Sequence, residues 1–232
     1  MADVSPANAS ISYCPDIHCY ALATYSPSFE LGNISGHILF NPIADTVKDP
    51  AQTSMITEEM WMNTNPSGTE WVETGVTTGY TDVMNGPNYV WITDGWFFAS
   101  SPKPDNGGAG YSEVYLNEPT NPGTIYSAGL HYHGGGVWNA QRSDQPGATW
   151  YISSGNPNSP GRGAQAGSET SMETGVSLCG SIDLLAYQVS GSTQQIFGWP
   201  NAKLTSESTS HIKWTSTYND VQLSTNTSCS LN

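Results

Sequence analysis

From residue 70 to residue 80 the chain reads Glu-Trp-Val-Glu-Thr-Gly-Val-Thr-Thr-Gly-Tyr, and its hydrophobic pattern has a period of two. On a strand, Trp71, Glu73, Gly75 and Thr77 fall on one face, and Val72, Thr74 and Val76 on the other. The second face is β-branched throughout and suits a core. The first sets a carboxylate between a large aromatic and a glycine. An acid in mid-strand ordinarily marks the solvated side of a sheet. Glycine, however, weakens a strand unless another backbone or a ligand approaches closely there. The same pattern therefore also describes the floor of a cleft.

The preceding segment repeats the alternation. In Thr-Glu-Glu-Met-Trp-Met-Asn-Thr at 57–64, Glu59, Trp61 and Asn63 share one face while Met60 and Met62 share the other. Asn65-Pro-Ser-Gly68 is a turn signal of hairpin length. The two segments are predicted to pair antiparallel, with Glu59 and Trp61 on the face of Glu73.

Further short runs lie at 20–25, 36–40, 88–98, 111–116, 124–132, 136–142, 149–153, 164–171, 182–189, 195–199 and 211–217, with 220–223 as a last piece. Turn residues punctuate them about every 8–12 positions, and no stretch holds a helical period over three turns. No internal repeat suggests a propeller. The expected fold is all-β: a single-domain antiparallel two-sheet β-sandwich of jelly-roll, concanavalin-like type over residues 21–232, behind a disulfide-pinned segment 1–20.

Composition narrows the function. Among 232 residues only 11% are charged, six are Lys or Arg, and the net charge is −14. So few cations cannot neutralise a phosphate backbone or adhere to an anionic bilayer, so neither nucleic acid nor membrane is an expected partner. No apolar run approaches the length of a membrane span. Low charge, acidity and abundant Ser, Thr, Asn, Gly and Tyr are those of a secreted protein, and Met1-Ala2 reads as the start of a mature chain.

Four cysteines agree with export. Cys14 and Cys19 enclose Pro-Asp-Ile-His, which fits a local disulfide and would leave Cys179 for Cys229, although three pairings are open. A metal site through His18 is the rival, and the lack of a second close cysteine pair weighs against it. Sequons stand at Asn8, Asn33 and Asn226.

Most catalytic constellations are missing. The glycine-rich stretches at 106–110 and 134–136 have no following Lys-Ser/Thr. His131 and His133 have zinc-ligand spacing but no identifiable third ligand. No Gly-x-Ser-x-Gly elbow occurs, and bridged cysteines supply no thiolate. No metal or cofactor is expected.

Paired carboxylates remain. Besides Glu73, the run at 164–171 places Gln165, Gly167 and Glu169 on one strand face. Two close carboxyls cannot both ionise easily, so one keeps its proton at acidic pH, and a general acid/base pair results. Glu173, in a second Glu-Thr-Gly-Val, is a rival to Glu169. Trp61, Trp71, Tyr89 and Trp91, with Gln165, are the candidates to line the cleft and bind substrate.

Glu73-Thr-Gly-Val76, after an aromatic and an apolar residue, resembles the motif around the first catalytic residue of glutamic peptidases. Fungal members have Gln-Thr-Gly-Val there, and plant neprosin-type members carry Glu in an apolar-Glu-Ala-Gly setting. The Glu-Met-Trp-Met strand at 59–62 resembles the neprosin-type strand before that glutamate. Aromatic strands follow, then Gly-Thr-Ile-Tyr at 123–126 and a late strand with a second glutamate. The resemblance implies a β-sandwich whose concave face holds both catalytic groups, Glu73 as the first and Glu169 as the second. Fungal members set the second after a Trp and two apolar residues, whereas Ala166, Gly167 and Ser168 precede it here.

Together these readings suggest a secreted acid endopeptidase acting on polypeptides. Glu169 would be general base toward water, and protonated Glu73 would donate to the oxyanion. The alternatives are a carbohydrate-binding or carbohydrate-cleaving jelly roll, whose tryptophans would stack on sugar rings, and a non-catalytic surface sandwich. The chain lacks the Glu-x-Asp-x-Glu strand of retaining glucanases.

Overall fold

The structure is a computed structural model. It describes residues 14, 18–39, 41, 44–45, 55–81, 90–101, 112–121, 123–142, 149–153, 160–171, 176–207 and 210–225. These form strands and no helix. In chain order the strands are β1 (Cys19–Tyr25), β2 (Leu31–Leu39), β3 (Ala44–Asp45), β4 (Met55–Asn63), β5 (Trp71–Thr81), β6 (Val90–Ser101), β7 (Ser112–Pro119), β8 (Ile125–Gly134), β9 (Val137–Arg142), β10 (Thr149–Ser153), β11 (Gly163–Thr170), β12 (Val176–Ser177), β13 (Cys179–Val189), β14 (Gln195–Phe197), β15 (Lys203–Ser206), β16 (Ser210–Ser216) and β17 (Asp220–Thr225).

Two antiparallel sheets carry the fold, as the alternation predicts. One runs β15-β1-β11-β4-β5-β6-β7. The other runs β10-β9-β8-β2-β13-β17-β16, with β14 also pairing to β13. Their facing residues form one core. Ala21, Met60, Met62, Val72, Val76, Trp96, Phe98 and Ala166 of the first sheet belong to the same buried cluster as Ile34, Ile38, Tyr126, Leu130, Trp138, Ile182 and Leu223 of the second. Each fully buried Val, Leu, Ile, Phe or Met side chain among them contributes about 1.5–3 kcal/mol. Two threonines stand on β5's inner face. Thr74 accepts from Trp96 Nε1 (3.0 Å) and donates to the Phe97 carbonyl (3.0 Å), and Thr78 donates to Asp94 Oδ1 (3.0 Å), so both hydroxyls are satisfied.

The β4–β5 hairpin forms as its turn signal predicts. Gly68 has φ +69° and donates to the Asn65 carbonyl (3.2 Å), and Asn65 Oδ1 accepts from the amides of Thr69 (3.0 Å) and Glu70 (3.3 Å). Gly75 answers to a close approach of backbone: a Cβ there would lie 2.6 Å from Cα and Cβ of Glu59 on β4.

Several elements differ from the sequence expectation: β3 lies in a stretch expected to be a loop, β15 is not among the expected runs, and the bounds of β1 and β2 bear on the site. The run expected from Gly36 is the end of a nine-residue strand, β2, whose first half, Leu31-Gly-Asn-Ile-Ser, is interrupted by Gly32 and Asn33. Pairing with both β8 and β13 covers that half and leaves the sequon residue Asn33 only 4% exposed. β1 opens at Cys19, so the sheet takes in the end of the segment expected to be irregular. The Cys14–Cys19 disulfide is present, with a Cα–Cα distance of 5.5 Å. Cys179 is disulfide-bonded as well, and its expected partner Cys229 lies outside the described residues.

Candidate active site

The outer face of the first sheet is an array of cross-strand rows. One row runs Thr24, Gln165, Trp61, Glu73, Ala99, Glu113 across β1, β11, β4, β5, β6 and β7. The next runs Leu22, Gly167, Glu59, Gly75, Phe97, Tyr115. The row beyond it contains Tyr20 and Glu169, and there the Glu169 amide donates to Thr57 Oγ1 (3.1 Å). Glu73, Glu59 and Glu169 thus lie on a diagonal, each one strand and one row from the next.

A cleft of about 600 Å³ opens on this face. Glu73 and Glu169 both line it, as do Trp61, Trp71 and Gln165. The expected pair of carboxylates and three of the expected substrate-binding residues therefore share one concavity. Tyr89 and Glu173 fall outside the described residues. Trp91 is not a lining residue. It packs edge-on against Tyr80 (4.9 Å between ring centroids) and donates from Nε1 to Thr93 Oγ1 (3.0 Å), while Tyr80 itself lines the cleft. A register shift between Thr77 and Gly79, with φ +147° at Gly79 and +49° at Asp94, resets the alternation there. Counting by twos from Glu73 cannot reach Tyr80 across it.

Glu59 is the floor between the two glutamates. It is 1% exposed, its Oε1 has no hydrogen-bond partner, and glycines flank it on both neighbouring strands. Burial, then the charges of Glu73 and Glu169, push its carboxyl well above the usual range, against a hydrogen bond from Thr57. Glu59 is accordingly held as a neutral acid.

Glu169 has two neighbours that the sequence reading did not join to it. His18 Nδ1 forms an ion pair with Glu169 Oε1, and the Tyr20 hydroxyl donates to the same oxygen (3.3 Å). Burial, then the carboxylate of Glu169, raises the Tyr20 pKa, so Tyr20 stays a donor. At the far end of the row, Glu113 is 5% exposed and its Oε1 accepts from Tyr115 (2.5 Å). Parity was the available signal for both: 18, 20 and 22 alternate with the core positions Ala21 and Ala23, and Glu113 alternates between Tyr111 and Tyr115.

Among the described residues no three His, Cys, Asp or Glu side chains are grouped to hold an ion. His131 lies on β8 of the opposite sheet, where burial and His133 lower its pKa.

No family model and no curated protein matches this sequence. Solved structures do match. Scytalido-glutamic peptidase with a transition state analog inhibitor superposes with a TM-score of 0.60 at 10% identity, covering 94% of this chain and 100% of that one. The same peptidase with a peptide based transition state analog gives 0.56 at 10% identity, with the same coverage. SCP-B, a member of the eqolisin family of peptidases in complex with the tripeptide Ala-Ile-His, gives 0.53 at 11% identity, again over 94% of this chain and 100% of that one. At such identity the likeness is one of fold: this chain has the β-sandwich fold seen in these glutamic peptidases.

Proposed function

We propose that the protein is an acid endopeptidase that cleaves polypeptides with a pair of glutamates. The observation that carries this is the shared cleft: Glu73 and Glu169, 96 positions apart in the chain (169 − 73), line one concavity walled by Trp61 and Trp71. The structural neighbours are peptidases captured with peptide-like ligands, and Glu73-Thr-Gly-Val76 resembles the glutamic-peptidase motif in its neprosin-type form.

In this reading a water sits between Glu169 and the scissile carbonyl. Glu169 takes a proton from the water as its oxygen bonds to the carbonyl carbon, and protonated Glu73 donates a hydrogen bond to the developing oxyanion. Collapse breaks the C–N bond, and the proton held by Glu169 passes to the leaving amine. Trp61, Trp71, Tyr80 and Gln165 hold the chain. Export to an oxidising compartment accords with the Cys14–Cys19 disulfide.

The test is cleavage of a denatured protein from about pH 3 to about pH 7 by wild type, Glu73→Gln and Glu169→Gln, with each substitution expected to cost at least about 10²–10³-fold in kcat. Full activity in either variant removes that residue from the mechanism. A wild type that cleaves nothing across this range overturns the peptidase reading and turns the aromatic cleft toward glycans, which a glycan array would detect.

A further inference from the structure

His18 sits where a glutamic dyad alone would not need it. Cys14–Cys19 closes a tight loop whose last residue before β1 is His18. The Cys14 amide donates to the Ser171 carbonyl (3.2 Å), just past β11, so the loop is tied to the strand that carries Glu169. Cys19 and Tyr20 pair with Thr170 and Glu169. His18, two residues before Tyr20, keeps that face and lines the cleft. The side chains of His18 and Glu169 are 28% and 16% exposed, so their ion pair is partly withdrawn from solvent. Both His18 and Tyr20 engage Oε1 of Glu169.

We propose that His18 is a positioning residue: its imidazolium, held beside β11 next to the Cys14–Cys19 disulfide, fixes Glu169 Oε1 and leaves Oε2 to take the proton of the attacking water. This rests on the peptidase reading above. A base held by two donors on one oxygen presents the other in a fixed direction, which is what a single productive water requires. Among the described residues, the groups that face the pair are Tyr20 on β1, Thr57 and Glu59 on β4, Glu73 on β5, and Glu207, whose Oε2 accepts from the Tyr20 amide (3.1 Å). All the ionisable ones other than Tyr20 are acids, so His18 is the cation of the cluster. Burial works against its charge, and the hydrogen bond and charge of Glu169 outweigh burial, so its pKa is raised. The imidazolium is therefore favoured below the raised value and is lost as pH rises through it.

Two measurements test this. The first follows the His18 imidazole by NMR in the intact protein, in wild type and in Glu169→Gln. The His18 titration is expected above about pH 6.5 in wild type, and below its wild-type position in the variant. A titration indifferent to Glu169→Gln overturns the pair. The second compares His18→Leu and His18→Gln, with circular dichroism to confirm the fold. His18→Leu is expected to lower kcat by roughly 10- to 100-fold, the scale of a small misplacement of a reacting group, with KM nearly unchanged. His18→Gln, which keeps an N–H donor, should recover part of that loss. Variants that match wild type in kcat at every pH overturn the positioning role. A wild type without peptidase activity would instead sink the peptidase reading, and the NMR titration would still decide whether the pair exists.

Discussion

Glu59 separates what a carboxylate does in this cleft from what its mere presence implies. It lies between Glu73 and Glu169 on the diagonal, yet the cleft is lined by those two and not by Glu59. A fully buried acid whose neighbours are acids is cheaper neutral than charged. Glu59→Gln replaces a neutral acid by a neutral amide of the same shape. It should therefore keep kcat/KM within about 10-fold of wild type, one order of magnitude in the transition-state scale. The same change at Glu73 or Glu169 should not be tolerated. Steady-state kinetics on the three variants side by side check this, and a collapse in Glu59→Gln comparable with Glu169→Gln would give Glu59 a place in the chemistry.

At the scale of the strand, glycines decide how closely the site's elements approach. Gly75 and Gly167 stand on either side of Glu59, in β5 and β11. A Cβ at Gly75 would strike Glu59, and one at Gly167 would run into the Ala21 carbonyl oxygen of β1. Neither obstacle is the tip of a flexible side chain, so the strands must separate to admit a methyl. Gly75→Ala and Gly167→Ala are each expected to cost about 1–3 kcal/mol, the range of an overpacked core. Gly123→Ala meets open space and only the strain of φ +76°, and should cost about 1–2 kcal/mol. Denaturant midpoints for the three variants test the difference, and a Gly75→Ala protein as stable as wild type would show that β4 and β5 can part freely.

Across the whole molecule, acidity is built into the packing of one sheet on the other. Glu58 follows the inward alternation of Met60 and Met62 and lies between the sheets, where a Cβ on Gly180 of β13 would overlap its carboxyl. Neither carboxyl oxygen has a hydrogen-bond partner. Burial, then Asp183, pushes its pKa well up. A carboxyl raised in the native state binds its proton more tightly folded than unfolded. Its contribution is therefore whole below about pH 4.3 and lost as pH climbs toward the native value, at about 1.4 kcal/mol per pH unit. Glu59 acts in the same direction. With 20 acids against six Lys and Arg, self-repulsion also grows as pH rises. The fold should be more stable near pH 4 than near pH 7 (about three units), and Glu58→Gln should raise stability at the higher pH and flatten the slope. Urea unfolding of both proteins across that interval is the measurement. An unchanged slope in the variant would mean that Glu58 is not the buried proton.

The sequence by itself determined the sandwich, the β4–β5 hairpin and the face that Glu73 shares with Trp61, because these depend on a period of two and a turn signal, which are local. It also placed Glu169 on a strand of small residues and made Cys14–Cys19 the natural local pair. Tertiary structure alone decided that β11 lies beside β4, since cross-strand order among non-consecutive strands leaves no periodic trace. The same order turned His18 from a discounted metal ligand into the partner of Glu169, and buried Glu59 beneath the face it shares with Glu73. It also put Tyr80 and not Trp91 in the lining of the cleft, because a register shift at Thr77–Gly79 breaks the alternation on which the sequence reading relied.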